Sequence, residues 1–249
     1  MRLPHIFPFL TLLWTCATLR AGLPFFTDDP GLPSRGTWEL NFFSLYQKTA
    51  DGENLAAPGA DLNYSLLDTL QLTTTIAGLT TFPEAGSSSF GLGDIDTSFK
   101  WQFLTEQEDR AWPGISLTPH LLVPTGSVRR HLGGGSYQFR LPIQIGKTFG
   151  DFFVFGEAGY EWALSEEGSD QILYGLCAQR QIKRWIIGAE INGIHNAGNA
   201  SQRLLVANLG VIYTLSPSIE LQGLLGRSLL NDRFGGPKFI GGIFMKFSI

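Results

Sequence analysis

Three histidines outside the leader, His120, His131 and His195, are the candidate general bases of this chain. Ser87, Ser88 and Ser89 share one polar stretch, and Ser127 stands four residues before His131. A serine set against a histidine would give ester or acyl hydrolysis. The spacings match no barrel hydrolase: His131 reads as a solvated loop residue and His120 as a hydrogen-bonded one. Asp28-Asp29, and Asp94 with Asp96 on one strand face, are carboxylate pairs of a kind that binds Ca²⁺ or steers cations. Hydrogen bonding to Lys100 or to loop amides is the better reading of the second pair. There is no HExxH, no CxxC and no Walker loop; Gly91-Leu92-Gly93-Asp94 and Gly133-Gly134-Gly135 read as loops and strand starts. Cys177, the one cysteine after the leader, reads as a buried or inward thiol. No enzyme activity, cofactor or metal is therefore expected.

The elements that carry these residues alternate. In Ile95–Phe103 the odd positions are apolar or Thr and the even ones polar, and Tyr137–Ile145 keeps the same parity. A period of two means strands with one apolar and one polar face. Twelve strands are predicted, near 37–48, 58–67, 69–79, 91–104, 113–124, 136–147, 152–163, 171–182, 185–195, 203–214, 218–228 and 237–249. Most match the roughly 9–11 residues of a membrane-spanning strand. Short turns alternate with longer polar loops, the signature of an outer-membrane barrel with short periplasmic turns. One turn, 105–112, is longer than that pattern wants. Trp and Tyr fall near the strand ends, as interfacial girdles require. The expected fold is all-β: a transmembrane, antiparallel, up-and-down β-barrel of about twelve strands. A secreted sandwich or lipocalin-like barrel would show the same alternation with the faces exchanged.

Residues 1–21 read as a cleaved secretory signal peptide, with Arg2 before a short apolar core and Leu19-Arg20-Ala21 at the cleavage site. Arg2 and Arg20 leave with it, so 18 basic residues become 16 against 22 acidic ones. That balance offers nucleic acid no basic surface. After residue 21 no apolar run approaches the roughly 18–20 residues of a spanning helix. Residues 22–36 (GLPFFTDDPGLPSRG) form an N-terminal segment with three prolines, and 37–249 form the barrel. The segment either folds into the mouth as a plug, through Thr27, Asp28, Asp29 and Pro30, or trails free.

With the apolar parity turned to lipid, the other parity lines a polar lumen of both charge signs. Asp94, Asp96, Lys100, His120, Arg140, Glu157, Glu161 and Glu190 are the candidate path residues. Cross-lumen ion pairing is favoured there over a selectivity ring of one sign. Pro119 and Pro142 sit inside adjacent strands, where each removes a ladder donor, so a bulge or a side opening in the wall is expected near them.

Pro24-Phe25-Phe26-Thr27-Asp28-Asp29-Pro30 followed by Gly36-Thr37-Trp38-Glu39 resembles the start of the outer-membrane family named for the MetA pathway of phenol degradation. Leu62–Leu66 with Leu70-Gln71-Leu72, the Gly91–Asp94 strand with Phe99-Lys100-Trp101, Pro124-Thr125-Gly126 and Leu141-Pro142 continue the resemblance in order. It implies an outer-membrane barrel, often labelled a transporter, with small aromatic or apolar compounds as possible solutes. It brings no set of catalytic or binding residues.

The function expected is passive passage of small solutes through the lumen or a lateral opening, in the cell outer membrane. A non-conducting structural or display barrel is the second reading and an outer-membrane hydrolase the third. Outer-membrane lipids, the barrel-assembly machinery and a small solute are the expected partners.

Overall fold

The computed structural model describes residues 23–107, 111–165, 168–232 and 236–249. The leader expected over 1–21 lies outside them. The elements are β1 (Trp38–Lys48), β2 (Gly52–Leu67), β3 (Leu70–Pro83), β4 (Ser89–Leu92), β5 (Ile95–Leu104), β6 (Gly114–Leu117), β7 (His120–Val123), β8 (Gln138–Phe149), β9 (Phe152–Ala163), β10 (Gln171–Ile182), β11 (Trp185–Asn196), β12 (Asn199–Ser216), β13 (Ile219–Asp232) and β14 (Phe239–Ser248). β4 with β5, and β6 with β7, are interrupted wall strands, so the wall has twelve spans. Every pairing is antiparallel, and β1 closes the barrel on β14 from Glu39↔Ser248 to Lys48↔Phe239. Closure leaves no full-length edge to template aggregation, although the short β4 pairs on one side, with β3.

The middle strands match the sequence reading, and several long-loop ends do not. β2 starts at Gly52 rather than 58, β3 runs past 79 to Pro83, β12 starts at Asn199 rather than 203, and β13 runs past 228 to Asp232. The ladder continues there through pairs such as Glu53↔Phe82 and Asn54↔Thr81. Beyond a lipid band, pairing no longer demands an apolar outer face, so alternation underestimates strand length.

The faces point as the membrane reading requires. Leu209 is 68% exposed and Ile243 66%, while their chain neighbours Asn208 and Phe244 are 2% and 1% exposed. Each such outward side chain is worth about 1.5–3 kcal/mol when removed from water, so acyl chains, not water, are the solvent that suits this wall. Aromatic rings pair at both rims: Trp38 with Tyr64 and Trp185 with Tyr213 at the short-turn end, Phe139 with Trp162 at the long-loop end.

The interior departs from a uniformly polar lumen. β1 and β10–β14 turn Leu45, Leu173, Ile194, Val206, Leu224 and Ile240 inward, all buried and joined in one apolar cluster. β2 to β9 contribute most of the buried polar set, including Asp61, Asp96, Lys100, Arg140 and Glu161, while Glu190, Asn208 and Gln222 stand among the apolar residues of β11, β12 and β13. The inside is therefore uneven, one arc mainly oily and the other mainly polar.

Candidate functional site

Residues 23–30 occupy the bore. Pro24, Pro30 and Pro33 keep this stretch out of a regular ladder, because proline lacks the amide donor. Leu23, Phe25 and Phe26 join the apolar cluster. The chain rises from the short-turn end, turns at Thr27 and Asp28, and returns toward Gly114 and Gly146. Glu190 receives the apex: its Oε1 accepts the Phe26 amide and its Oε2 the Thr27 amide, each at 2.8 Å. Asn208 Nδ2 also donates to Glu190 Oε1 at 2.8 Å, which fixes the carboxylate. From across the barrel Lys100 Nζ donates to Asp28 Oδ1 at 2.7 Å and to the Asp29 carbonyl at 2.8 Å. Gln102 Nε2 donates to the Pro30 carbonyl at 2.9 Å. Buried amides and charges must be satisfied, and here wall side chains do what a sheet would do.

Wall glycines make the room. A Cβ on Gly175 would stand 2.3 Å from Thr27 Oγ1, one on Gly188 2.6 Å from Phe25 Cζ, and one on Gly210 2.5 Å from Phe25 Cε1. A Cβ on Gly146 would stand 2.9 Å from Pro30. No reading of polar and charged positions reveals this seat, because its signal is the absence of a side chain at inward positions.

The other predicted residues separate into two groups. Asp96, His120, Arg140 and Glu161 form a buried ionic patch on β5, β7, β8 and β9. His120 Nδ1 lies 3.1 and 3.3 Å from the Asp96 oxygens, and Arg140 Nε donates to Glu161 Oε2 at 2.7 Å. His120 and Arg140 are register partners, as are Arg140 and Glu161. The hydroxyls of Ser116 and Thr118 both donate to Gln144 Oε1 at 3.0 Å, and Gln144 in turn faces Glu157 in register. Asp61, missed by the sequence reading, gathers Asn41, Asn63 and Thr75 at 3.0–3.2 Å.

Asp94 is a different case. Its carboxylate accepts the amides of Gly126 at 2.8 Å and Gly134 at 2.7 Å, which ties the 124–135 loop to the gap between β4 and β5. Thr125 Oγ1 donates to the Gly93 carbonyl, and Arg130 donates to the Phe90 carbonyl. Leu132 is thereby buried to 1% exposure. The glycine-rich motif and the Pro-Thr-Gly motif are the two halves of this latch, and the Asp94 carboxylate is engaged with a loop. His131 sits in the same loop, exposed, in the left-handed conformation.

Pro119 and Pro142 interrupt the wall without shifting it. The Thr118 amide donates to the Pro142 carbonyl and the Phe99 amide to the Pro119 carbonyl. The return bond of each pair cannot form, because proline has no amide hydrogen. Register on either side of the gap is the same: Leu117↔Ile143 before it and His120↔Arg140 after it. The expected bulge is absent from this β6–β7–β8 stretch, since neighbouring pairs on both sides hold the strands in line.

Between the segment and the short-turn mouth lies a cavity of about 330 Å³. Asp29, Glu39, Asn41, Lys100, Glu220 and Lys246 are among its lining residues. Lys246 Nζ bridges Glu39 at 3.4 Å and Glu220 at 3.0 Å.

The fold has solved counterparts. The COG4313 outer membrane channel from Pseudomonas putida F1 superposes with a TM-score of 0.66 at 16% identity, over 88% of this chain and 97% of that one. The NanC porin gives 0.61 at 7% identity, over 84% and 98%, and the KdgM porin in complex with disordered oligogalacturonate gives 0.56 at 11%, over 85% and 99%. These likenesses establish the barrel architecture. No protein-family model matches the chain, and no curated protein matches it in sequence.

Proposed function

We propose that the protein is an outer-membrane channel for passive passage of small solutes, with the bore as the route and residues 23–33 as its removable obstruction. It has no covalent step in this reading: His120 faces Asp96, and Glu190 and Lys100 bind the segment. One observation carries the proposal. The occupant of the bore is a peptide held by side-chain bonds from Glu190, Lys100 and Gln102, and not a strand of the wall. The three structural counterparts, a channel and two porins by their descriptions, support the same reading. The chain's likeness to the MetA-pathway family, carried by the Thr27-Asp28-Asp29-Pro30 opening and the Asp94 latch, supports small aromatic or apolar compounds as solutes. Residues 1–21, read from the sequence as a signal peptide, and the outward apolar wall support export and insertion by the barrel-assembly machinery. Ladder continuity past Pro119 and Pro142 favours the bore over a lateral exit.

Planar-bilayer recording tests this. The full chain gives small or intermittent conductance, and deletion of 23–33 gives a steady open level. A deleted barrel that shows heat-modifiable migration and stays silent overturns the proposal. That result would favour the second reading, a non-conducting barrel, for which the observation is that inward side chains such as Asn63, Gln144 and Glu161 are at most 2% exposed.

A further inference from the structure

We propose that the cavity below the inner segment binds a small organic cation, an ammonium group carrying an apolar body. The inference rests on the channel reading for its purpose, as the solute's station at the short-turn mouth, but not for its chemistry.

The lining is mixed. β1, β13 and β14 bring Glu39, Asn41, Glu220 and Lys246, and β10 adds Gln179, while β9, β11 and β12 bring the apolar Phe155, Ile186 and Ile212. Leu23 of the segment extends the apolar side and Asp29 the charged side. The two ammonium groups in the lining are already engaged. Lys246 lies between Glu39 and Glu220, and Lys100 is bound to Asp28 and the Asp29 carbonyl. The Asp29 carboxylate accepts the Gly31 amide and has no ion-pair partner within 4.0 Å among the described residues. Asn41 is 4% exposed, and its Nδ2 donates to Asp61 while its Oδ1 has no hydrogen-bond partner. Among its charged groups the site therefore has acceptors left over, in a lining with one more carboxylate than ammonium.

A primary ammonium has three donors and no acceptor, which complements that set. Its apolar body would lie on Phe155, Ile186 and Ile212. A carboxylate-bearing solute would meet the surplus negative charge, and a neutral alcohol would bring the Asp29 carboxylate no direct ion-pair partner. The volume stands at the lower end of the roughly 300–1,000 Å³ of small-molecule sites, which suits a body of one ring or a short alkyl chain.

Titration calorimetry on the detergent-solubilised full chain tests the site, with benzylamine, benzyl alcohol and benzoate as probes of one shape and three charges. Benzylamine should bind at least tenfold more tightly than benzyl alcohol, and benzoate more weakly than either. Asp29→Asn should weaken benzylamine at least tenfold and leave benzyl alcohol unchanged, whereas Ile212→Asn should weaken both. Equal affinity for benzoate and benzylamine overturns the proposal, as does an unchanged benzylamine affinity in Asp29→Asn; heat-modifiable migration certifies that each variant is folded. Bilayer recording separates the two readings. A silent barrel that binds benzylamine keeps the site and loses the channel, and a conducting barrel without the preference keeps the channel and loses the site.

Discussion

Lys100 on β5 and Glu190 on β11 hold the same short peptide from nearly opposite sides of the barrel, one by its Asp28 carboxylate and the other by two consecutive amides. The opposed grips use opposite charges. The wall supplies a cation where the segment offers an anion, and an anion where it offers bare N–H groups.

Removing one grip is expected to free the segment more than it unfolds the barrel. Stranding one member of a buried ion pair typically costs about 3–5 kcal/mol. Asp28 can escape much of that cost by swinging into water. Lys100→Met should therefore raise open-state conductance, with a smaller loss of thermal stability than the pair energy implies. Lys100→Met combined with Asp28→Asn should conduct less than Lys100→Met alone, and the double-mutant cycle measures the coupling.

Filling the seat tests the same idea without touching charge. Gly175→Val places atoms where Thr27 sits, since even a Cβ would approach Thr27 Oγ1 to 2.3 Å. The segment should leave, and residues 23–33 should become sensitive to limited proteolysis while the barrel keeps its heat-modifiable migration. Protection equal to that of the unaltered chain would show that the glycine seat does not hold the segment.

The Asp94 latch predicts a separate phenotype. Asp94→Ala deprives two amides of a charged acceptor, each such bond being worth about 1.5–3 kcal/mol. Trypsin should then cut after the exposed Arg129 and Arg130 much faster. Single-channel conductance should change less than it does in Lys100→Met, because the latch serves a loop and not the bore.

Acidification has a defined site of action at the short-turn end. Partial burial works against the charge on Glu106, but the Thr148 amide and hydroxyl at 2.7 and 2.9 Å, together with Lys147 at 3.1 Å, hold its carboxyl below the ordinary 4.5. A depressed carboxyl stabilises the fold above its unfolded value and loses that contribution as pH falls through the folded one. Exchange protection of the Thr148 amide, corrected for intrinsic rate, should persist down to about pH 4.5 and decline only below it.

Parity was enough to read the wall. Residues 152–163 and 171–182 form strands with the limits alternation predicts, and Lys100, Arg140 and Glu190 point inward as their parity requires. Parity failed where neighbours are chemically alike. In Phe42-Phe43 one ring faces out, 48% exposed, and the next faces in, 5% exposed, so the apolar half of the lumen could not be separated from the lipid face. Asp94 has the parity of Asp96 but stands at the break between β4 and β5, where the chain leaves the ladder and the carboxylate turns to loop amides. The segment's seat was invisible for a third reason: glycines at 175, 188 and 210 carry no polarity to follow.

The inner segment runs directly into β1, the strand that meets β14 to complete the ring. The cork is therefore tethered to a stave at the seam of the ring, a few residues of chain away. A stopper drawn from its seat on such a leash stays with its vessel, so that leaving the bore and being lost from it are separate events.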